Sequence, residues 1–125
     1  MPIDWALRYA PILSAIRERR PQTILEVGSG PHGVAYYLRD RRVVGTDIAF
    51  GERPLPNLRA VLASAEALPF RDRAFDLVVS SDMMEHLPEQ LRERAVRELL
   101  RVSHGGRYGC LARRVIAELW GGRAA

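Results

Sequence analysis

Residues 24–33 read Ile-Leu-Glu-Val-Gly-Ser-Gly-Pro-His-Gly, an apolar run that ends in glycines spaced Gly28-x-Gly30-x-x-Gly33. Glycines at the end of a strand let a backbone approach a ligand closely, and a helix that follows them offers unpaired N–H groups to an anion. Asp47 closes the next apolar stretch, about 20 residues further on, where a carboxylate can accept both hydroxyls of a ribose. Together these features favour an adenosine-bearing ligand without choosing among cofactors. Each also has a structural reading. The glycines suit a tight strand-to-helix turn, Glu26 could cap neighbouring N–H groups, and Asp47 could form a strand-end turn.

The remaining residues capable of chemistry are scattered. His86, at a loop-to-helix junction, is the best general base by type, because its unperturbed pKa of about 6.5 lies near neutrality. Asp82 and Glu85 are loop acids beside it, and His32 and His104 sit in turns. No nucleophilic triad or metal cluster can be assembled, so no metal is expected. The single cysteine, Cys110, excludes an internal disulfide and reads as a small buried apolar residue.

The elements that must position these residues alternate. Residues 4–19 carry apolar positions at helical spacing, with Pro11 expected to kink or split the helix. Thr23 to Val27 reads as a buried strand. A helix is expected from Pro31 to about Arg39, with Val34, Tyr37 and Leu38 facing inward. Strands follow at 42–47, 58–62 and 75–80, and the last has the continuous apolar centre of a strand covered on both faces. Residues 48–58 are a loop by their prolines and glycine. Residues 88–102 form a helix with Leu91, Ala95, Leu99 and Val102 on its inner stripe. Strands alternating with helices predict a parallel sheet in a doubly wound α/β domain.

Composition sets the outer limits. A chain of 125 residues suggests one domain, and its 47% hydrophobic content is that of a globular protein. The net charge of +4 is carried by arginine alone, interleaved with acids as in Arg92-Glu93-Arg94. That patterning suits solvated helix faces rather than a nucleic-acid surface, and no nucleic-acid partner is expected. No apolar run approaches the roughly 20 residues of a membrane helix, and Met1-Pro2-Ile3-Asp4 does not open like a signal peptide. A cytoplasmic location without membrane contact is therefore expected.

Four stretches in order resemble the class I S-adenosylmethionine-dependent methyltransferases of the small-molecule type. They are Glu26-Val27-Gly28-Ser29-Gly30, Val44-Gly45-Thr46-Asp47, Ser64-Ala65-Glu66-Ala67-Leu68-Pro69-Phe70, and Phe75 to Ser81 followed by Met84-Glu85-His86-Leu87. The resemblance spans about residues 22–106. It implies a Rossmann-like, mostly parallel sheet, S-adenosylmethionine as cofactor and a small-molecule methyl acceptor. It also implies residue roles. Glu26, Gly28, Ser29 and Gly30 would surround the methionine part, and Asp47 would hold the ribose. Ile48, Ser64, Ala65 and Glu66 would border the adenine, and Ser80 and Ser81 would lie near the transferable methyl. Trp5 and Tyr9 could fold over the cofactor or simply pack their helix on the domain. An acid ahead of the glycines suits a cationic sulfonium better than an anionic pyrophosphate. The alternatives are a non-catalytic, cofactor- or partner-binding remnant and an NAD-dependent oxidoreductase.

The chain departs from the family pattern at three places. The third glycine is one position late, with Pro31-His32 before it. Ser64 stands where an aspartate is common, which weakens an adenine contact. After Ser103-His104-Gly105-Gly106, residues 107–111 make a poor strand and 112–120 read as a helix. The expected organisation is thus a helical segment 1–21, a cofactor-binding core 22–106, and an atypical shortened segment 107–125 lacking the family's C-terminal strands. An uncovered sheet edge invites pairing, so a homodimer through that edge is a further expectation.

Overall fold

The apolar stretches around the glycine loop pair into one sheet. In the computed structural model, which describes residues 3–81, 83–104 and 110–112, the strands are β1 (Ile24–Val27), β2 (Val43–Asp47), β3 (Leu58–Leu62), β4 (Leu77–Ser80) and β5 (Cys110–Ala112). Their spatial order is β3-β2-β1-β4-β5, and all four pairings are parallel. This is the doubly wound arrangement that the alternation of elements predicts.

The central strands explain the register. Every residue of β1 and β4 is buried, as strands covered on both faces must be. Along β1 the side chains alternate. Leu25 and Val27 join Val78 in the core beneath helix α2 (Glu89–Val102), while Ile24 joins Leu77 and Val79 beneath helix α1 (Ile3–Arg19). A slip of one residue would send Glu26 to the α2 face and Leu25 toward α1, so burial pins the pairing. Helix α2 contributes Ala95, Leu99 and Val102 at the expected spacing. Helix α1 contributes Tyr9, Ile12 and Ile16. Strand β3 is an edge, and Arg59, Ala60 and Leu62 on it are exposed.

Three expectations are corrected. Helix α1 runs from Ile3 to Arg19 as one α-helix, so Pro11 does not split it. Pro11 and Leu7, the residue that a normal residue 11 would bond, are both exposed, so water can reach the unpaired carbonyl. The helix expected over 31–39 is instead a 3₁₀ turn, Gly33–Tyr37. The side-chain amide of Asn57 collects the carbonyls of Ala35, Leu38 and Arg41 at 3.0, 2.9 and 3.1 Å, which takes the acceptors that a longer helix would use. Finally, the chain does form a fifth strand. Cys110 to Ala112 pairs with Val78 to Ser80, because β4 offers a free parallel edge at the core that a weak strand sequence can still join. The helix read over 112–120 otherwise falls outside the described residues. No helix among the described residues is long and apolar enough to cross a membrane.

Candidate functional site

The glycine loop is tied to β2 rather than held open. Gly28 and Ser29 both donate their N–H groups to the Thr46 carbonyl, at 2.8 and 3.0 Å. Gly30 donates its N–H to Asp47 Oδ2 at 2.9 Å, and Asp47 Oδ1 accepts the Ile48 N–H at 2.8 Å. The Ser29 hydroxyl donates to the Gly30 carbonyl. A half-buried carboxylate held by two backbone donors has a fixed direction and keeps further lone-pair sites for a ligand hydroxyl.

Glu26 lies beneath this loop on the α1 face. Its carboxylate is fully buried, with Oε1 accepting the Val34 N–H at 2.7 Å and Oε2 accepting the Tyr9 hydroxyl at 2.7 Å. Burial pushes its pKa up from 4.5 to about 7; the two donors oppose that shift and the nearby Asp47 charge adds to it. The Tyr9 hydroxyl is pushed up as well, first by its own burial and then by Glu26. Gly33 explains the late third glycine. Its φ is +57°, and a Cβ there would overlap Glu26 Oε1. In this chain the third glycine makes room for the buried carboxylate.

Above the carboxyl ends of β1 and β2 opens a cleft of about 530 Å³, within the usual range for small-ligand sites. Its floor is Val27, Gly28 and Thr46, with Asp47 and Ile48 at one rim. Ala63, Ser64, Ala65 and Glu66 form one wall. Met83, His86, Leu87, Pro88 and Leu91 form the other. Met83 lies so close over Gly28 that a Cβ there would sit 2.5 Å from its own Cβ. Ile48 at the rim is 77% exposed, an apolar side chain without cover. Two carboxylates, Asp47 and Glu66, line the cleft, and none of its described lining residues is an arginine.

The structure therefore brings Gly28, Asp47, Ile48, Ser64, Ala65, Glu66 and His86 to one cleft. Glu26, Ser29 and Gly30 stand behind it. Ser80 closes β4 and Ser81 follows it; both are buried, neither is among the residues lining the cleft, and neither hydroxyl has a hydrogen-bond partner among the described residues. Buried polar atoms of that kind are uncommon and need an explanation. His86 lies at the mouth. His32 is turned to the loop after β2, where its Nε2 lies 3.6 Å from Glu52 Oε1. Tyr9 packs under Glu26 and does not reach the cleft, and the Trp5 side chain, Asp82 and the Glu85 side chain fall outside the described residues. Met83, Pro88 and Leu91 line the cleft without a site signal in the sequence, while Thr46 and Leu87 stand in the Val44–Asp47 and Met84–Leu87 stretches without a role of their own. Leu91 alone stands out there, as a position at the start of the α2 stripe.

The family model described as a methyltransferase domain matches residues 25–110. An uncharacterized methyltransferase of Mycobacterium sp. (strain KMS) is 32% identical over 128 residues, an alignment covering 95% of this chain and 50% of the relative. Among solved structures, SAM-bound CalS10, an amino pentose methyltransferase from Micromonospora echinaspora, superposes with a TM-score of 0.68 at 20% identity, covering 82% of this chain and 48% of the other. A TehB-like SAM-dependent methyltransferase from Corynebacterium glutamicum gives 0.64 at 23% identity, with 87% and 70% covered. These structural likenesses establish the fold. The chain spans about half the length of the curated relatives it matches, 50% in the mycobacterial cases.

Proposed function

We propose, from the premise that this chain belongs to the methyltransferase domain family, that its cleft binds S-adenosylmethionine for methyl transfer to a small-molecule acceptor. The observation that carries the choice of cofactor is the charge of the cleft. Asp47 and Glu66 line it without an arginine among the described lining residues, which favours a ligand bearing a sulfonium and an ammonium. A dinucleotide would bring a pyrophosphate to the same place. Four of the loop amides that could meet it, those of Gly28, Ser29, Gly30 and Val34, are already bonded to acceptors of the chain, which weighs against the NAD reading.

The residues present fit the cofactor in further respects. Asp47 is pre-set by two backbone donors and can accept ribose hydroxyls. Ile48 offers an exposed apolar face to the adenine, with Ser64, Ala65 and Glu66 on the facing wall. We assign the hydroxyls of Ser80 and Ser81, unpartnered among the described residues, to the methionyl end of the cofactor. Glu26 braces the loop from behind, and Met83, Leu87 and Leu91 exclude water from the opposite wall. When bound, S-adenosylmethionine supplies an electrophilic methyl group, and the protein contributes position and a dry surround. His86 at the mouth stands where it could take a proton from an acceptor that must lose one. CalS10 acts on an amino pentose, an acceptor of the small-molecule class.

Calorimetric titration tests this reading. S-adenosylmethionine should bind and NAD should not, and Asp47→Ala should weaken the former by about tenfold or more, the loss of one or two hydrogen bonds to a charged acceptor. No heat with S-adenosylmethionine from well-folded protein would sink the reading. An unchanged affinity in Asp47→Ala would remove Asp47 from the ribose.

A further inference from the structure

The wall that borders the adenine side of the cleft has little structure of its own. Residues 63–76 connect β3 to β4 without a helix. Locally the wall is closed by the Ala67 N–H bonded to the Ser64 carbonyl at 3.1 Å and by the short bridge between those two residues. A connection of that kind is ordinarily mobile. Here it is strapped to the C-terminal half of α2. The Arg101 guanidinium donates from Nη2 to the Leu68 carbonyl at 2.9 Å, and from Nη1 to the Phe70 carbonyl at 2.8 Å and to Asp72 Oδ1 at 2.9 Å. Glu98 sets the fork, accepting Arg101 Nε at 2.6 Å on Oε2. Its Oε1 accepts the Leu68 N–H at 2.8 Å. Two backbone bonds complete the strap, Arg73 N–H to the Arg101 carbonyl at 2.8 Å and Phe75 N–H to the Val102 carbonyl at 3.0 Å.

Two features set this network apart from surface pairing. First, it aims at backbone. Both carbonyl contacts and the Leu68 amide belong to the segment that continues from Ser64, Ala65 and Glu66, so the guanidinium plane orients the chain itself. Only Arg carries five donors in a rigid fork that can do this. Second, the strapped segment contains Arg73, a non-glycine residue at φ +57°. Such a conformation persists only where the surroundings over-determine it. The first turn of the same helix supplies Leu91 to the opposite wall of the cleft, so α2 is a strut that fixes the distance between the two walls.

We propose that Arg101, oriented by Glu98, is a positioning residue that sets the Ser64–Glu66 wall and thereby the recognition of the adenine ring. This rests on the cofactor reading above, and the test separates the two. Arg101→Lys keeps the charge and loses the fork. Arg97→Ala is the control, because Arg97 makes an exposed pair with Glu93 on the same helix. Two quantities are read: amide hydrogen exchange at Ala67 and Leu68, and the ratio of affinities for adenosine and inosine, which differ at the edge the wall would meet. Arg101→Lys should speed exchange at those amides and cut the preference for adenosine, each by about tenfold, as expected for losing one or two charge-assisted bonds. Arg97→Ala should change neither. A purely structural arginine would weaken both nucleosides alike, so an unchanged ratio overturns the proposal, as does unchanged exchange. If Arg101→Lys does not fold, Asp72→Ala removes one exposed arm of the network and is judged by the same ratio. Wild-type protein that binds no S-adenosylmethionine refutes the cofactor reading, while the exchange comparison still decides whether Arg101 holds the wall.

Discussion

Replacing Glu26 by glutamine should change the pH dependence of stability more than stability itself. Burial raises the Glu26 pKa from 4.5 to about 7, even with the Tyr9 hydroxyl and the Val34 N–H donating to it. The folded protein thus keeps a proton that the unfolded chain has released. Stability from this group is fully present below about pH 4.5 and is lost as the pH rises through about 7. At about 1.4 kcal/mol per unit, the shift corresponds to about 3 kcal/mol of stability across that window. The substituted amide would be neutral throughout. Its carbonyl can accept the Val34 N–H, and its NH₂ can donate to the Tyr9 oxygen, so the brace survives. The variant should therefore gain on the wild type by about 3 kcal/mol between about pH 4.5 and 8. Urea unfolding followed by tryptophan fluorescence at several pH values reads this difference directly. Parallel stability profiles for the two proteins would refute the reasoning, and so would a variant that falls further behind as the pH rises.

Two other outcomes follow from the loop and the orphaned hydroxyls. Gly33→Ala and Gly30→Ala both place a side chain at positive φ, at a cost of about 1–2 kcal/mol each, but only the first drives its Cβ into Glu26 while the second meets open space; thermal unfolding should show Gly33→Ala markedly worse, and equal losses would contradict the packing described. Ser80→Ala removes a buried hydroxyl without a partner among the described residues. It should leave the melting temperature unchanged or higher while weakening S-adenosylmethionine binding, whereas a destabilised protein with intact affinity would show that the hydroxyl serves the fold.

Much of the fold is legible in the sequence because each strand carries its own burial signal. Val78 and Val79 sit in a continuous apolar run, and only a strand covered on both faces needs one. The α2 stripe is equally plain in Ala95, Leu99 and Val102. The turn at Gly33–Tyr37 is not legible, because the group that ends it, the Asn57 amide, lies far along the chain and reaches back across the β2–β3 connection. Strand β5 is only faintly legible, as the poor strand read over 107–111, since its residues pair through an edge that β4 presents.

The site divides in the same way. Order and spacing mark Gly28 and Asp47, because glycines and a strand-end carboxylate suit a backbone that approaches a nucleoside, whereas the Ser64–Glu66 stretch is marked only by the resemblance to the methyltransferases. The sequence also marks Glu26, but not which way it faces. Strand alternation and the packing of α1 turn its carboxylate away from the cleft to meet Tyr9 and Val34. That placement accounts for the third glycine falling at 33. Met83 over Gly28, Leu87 and Leu91 on the far wall, and the Glu98–Arg101 strap all join residues distant in the chain. Only the packing of α2 across the sheet decides their positions, since a side chain's partner is set by the surface it is folded against.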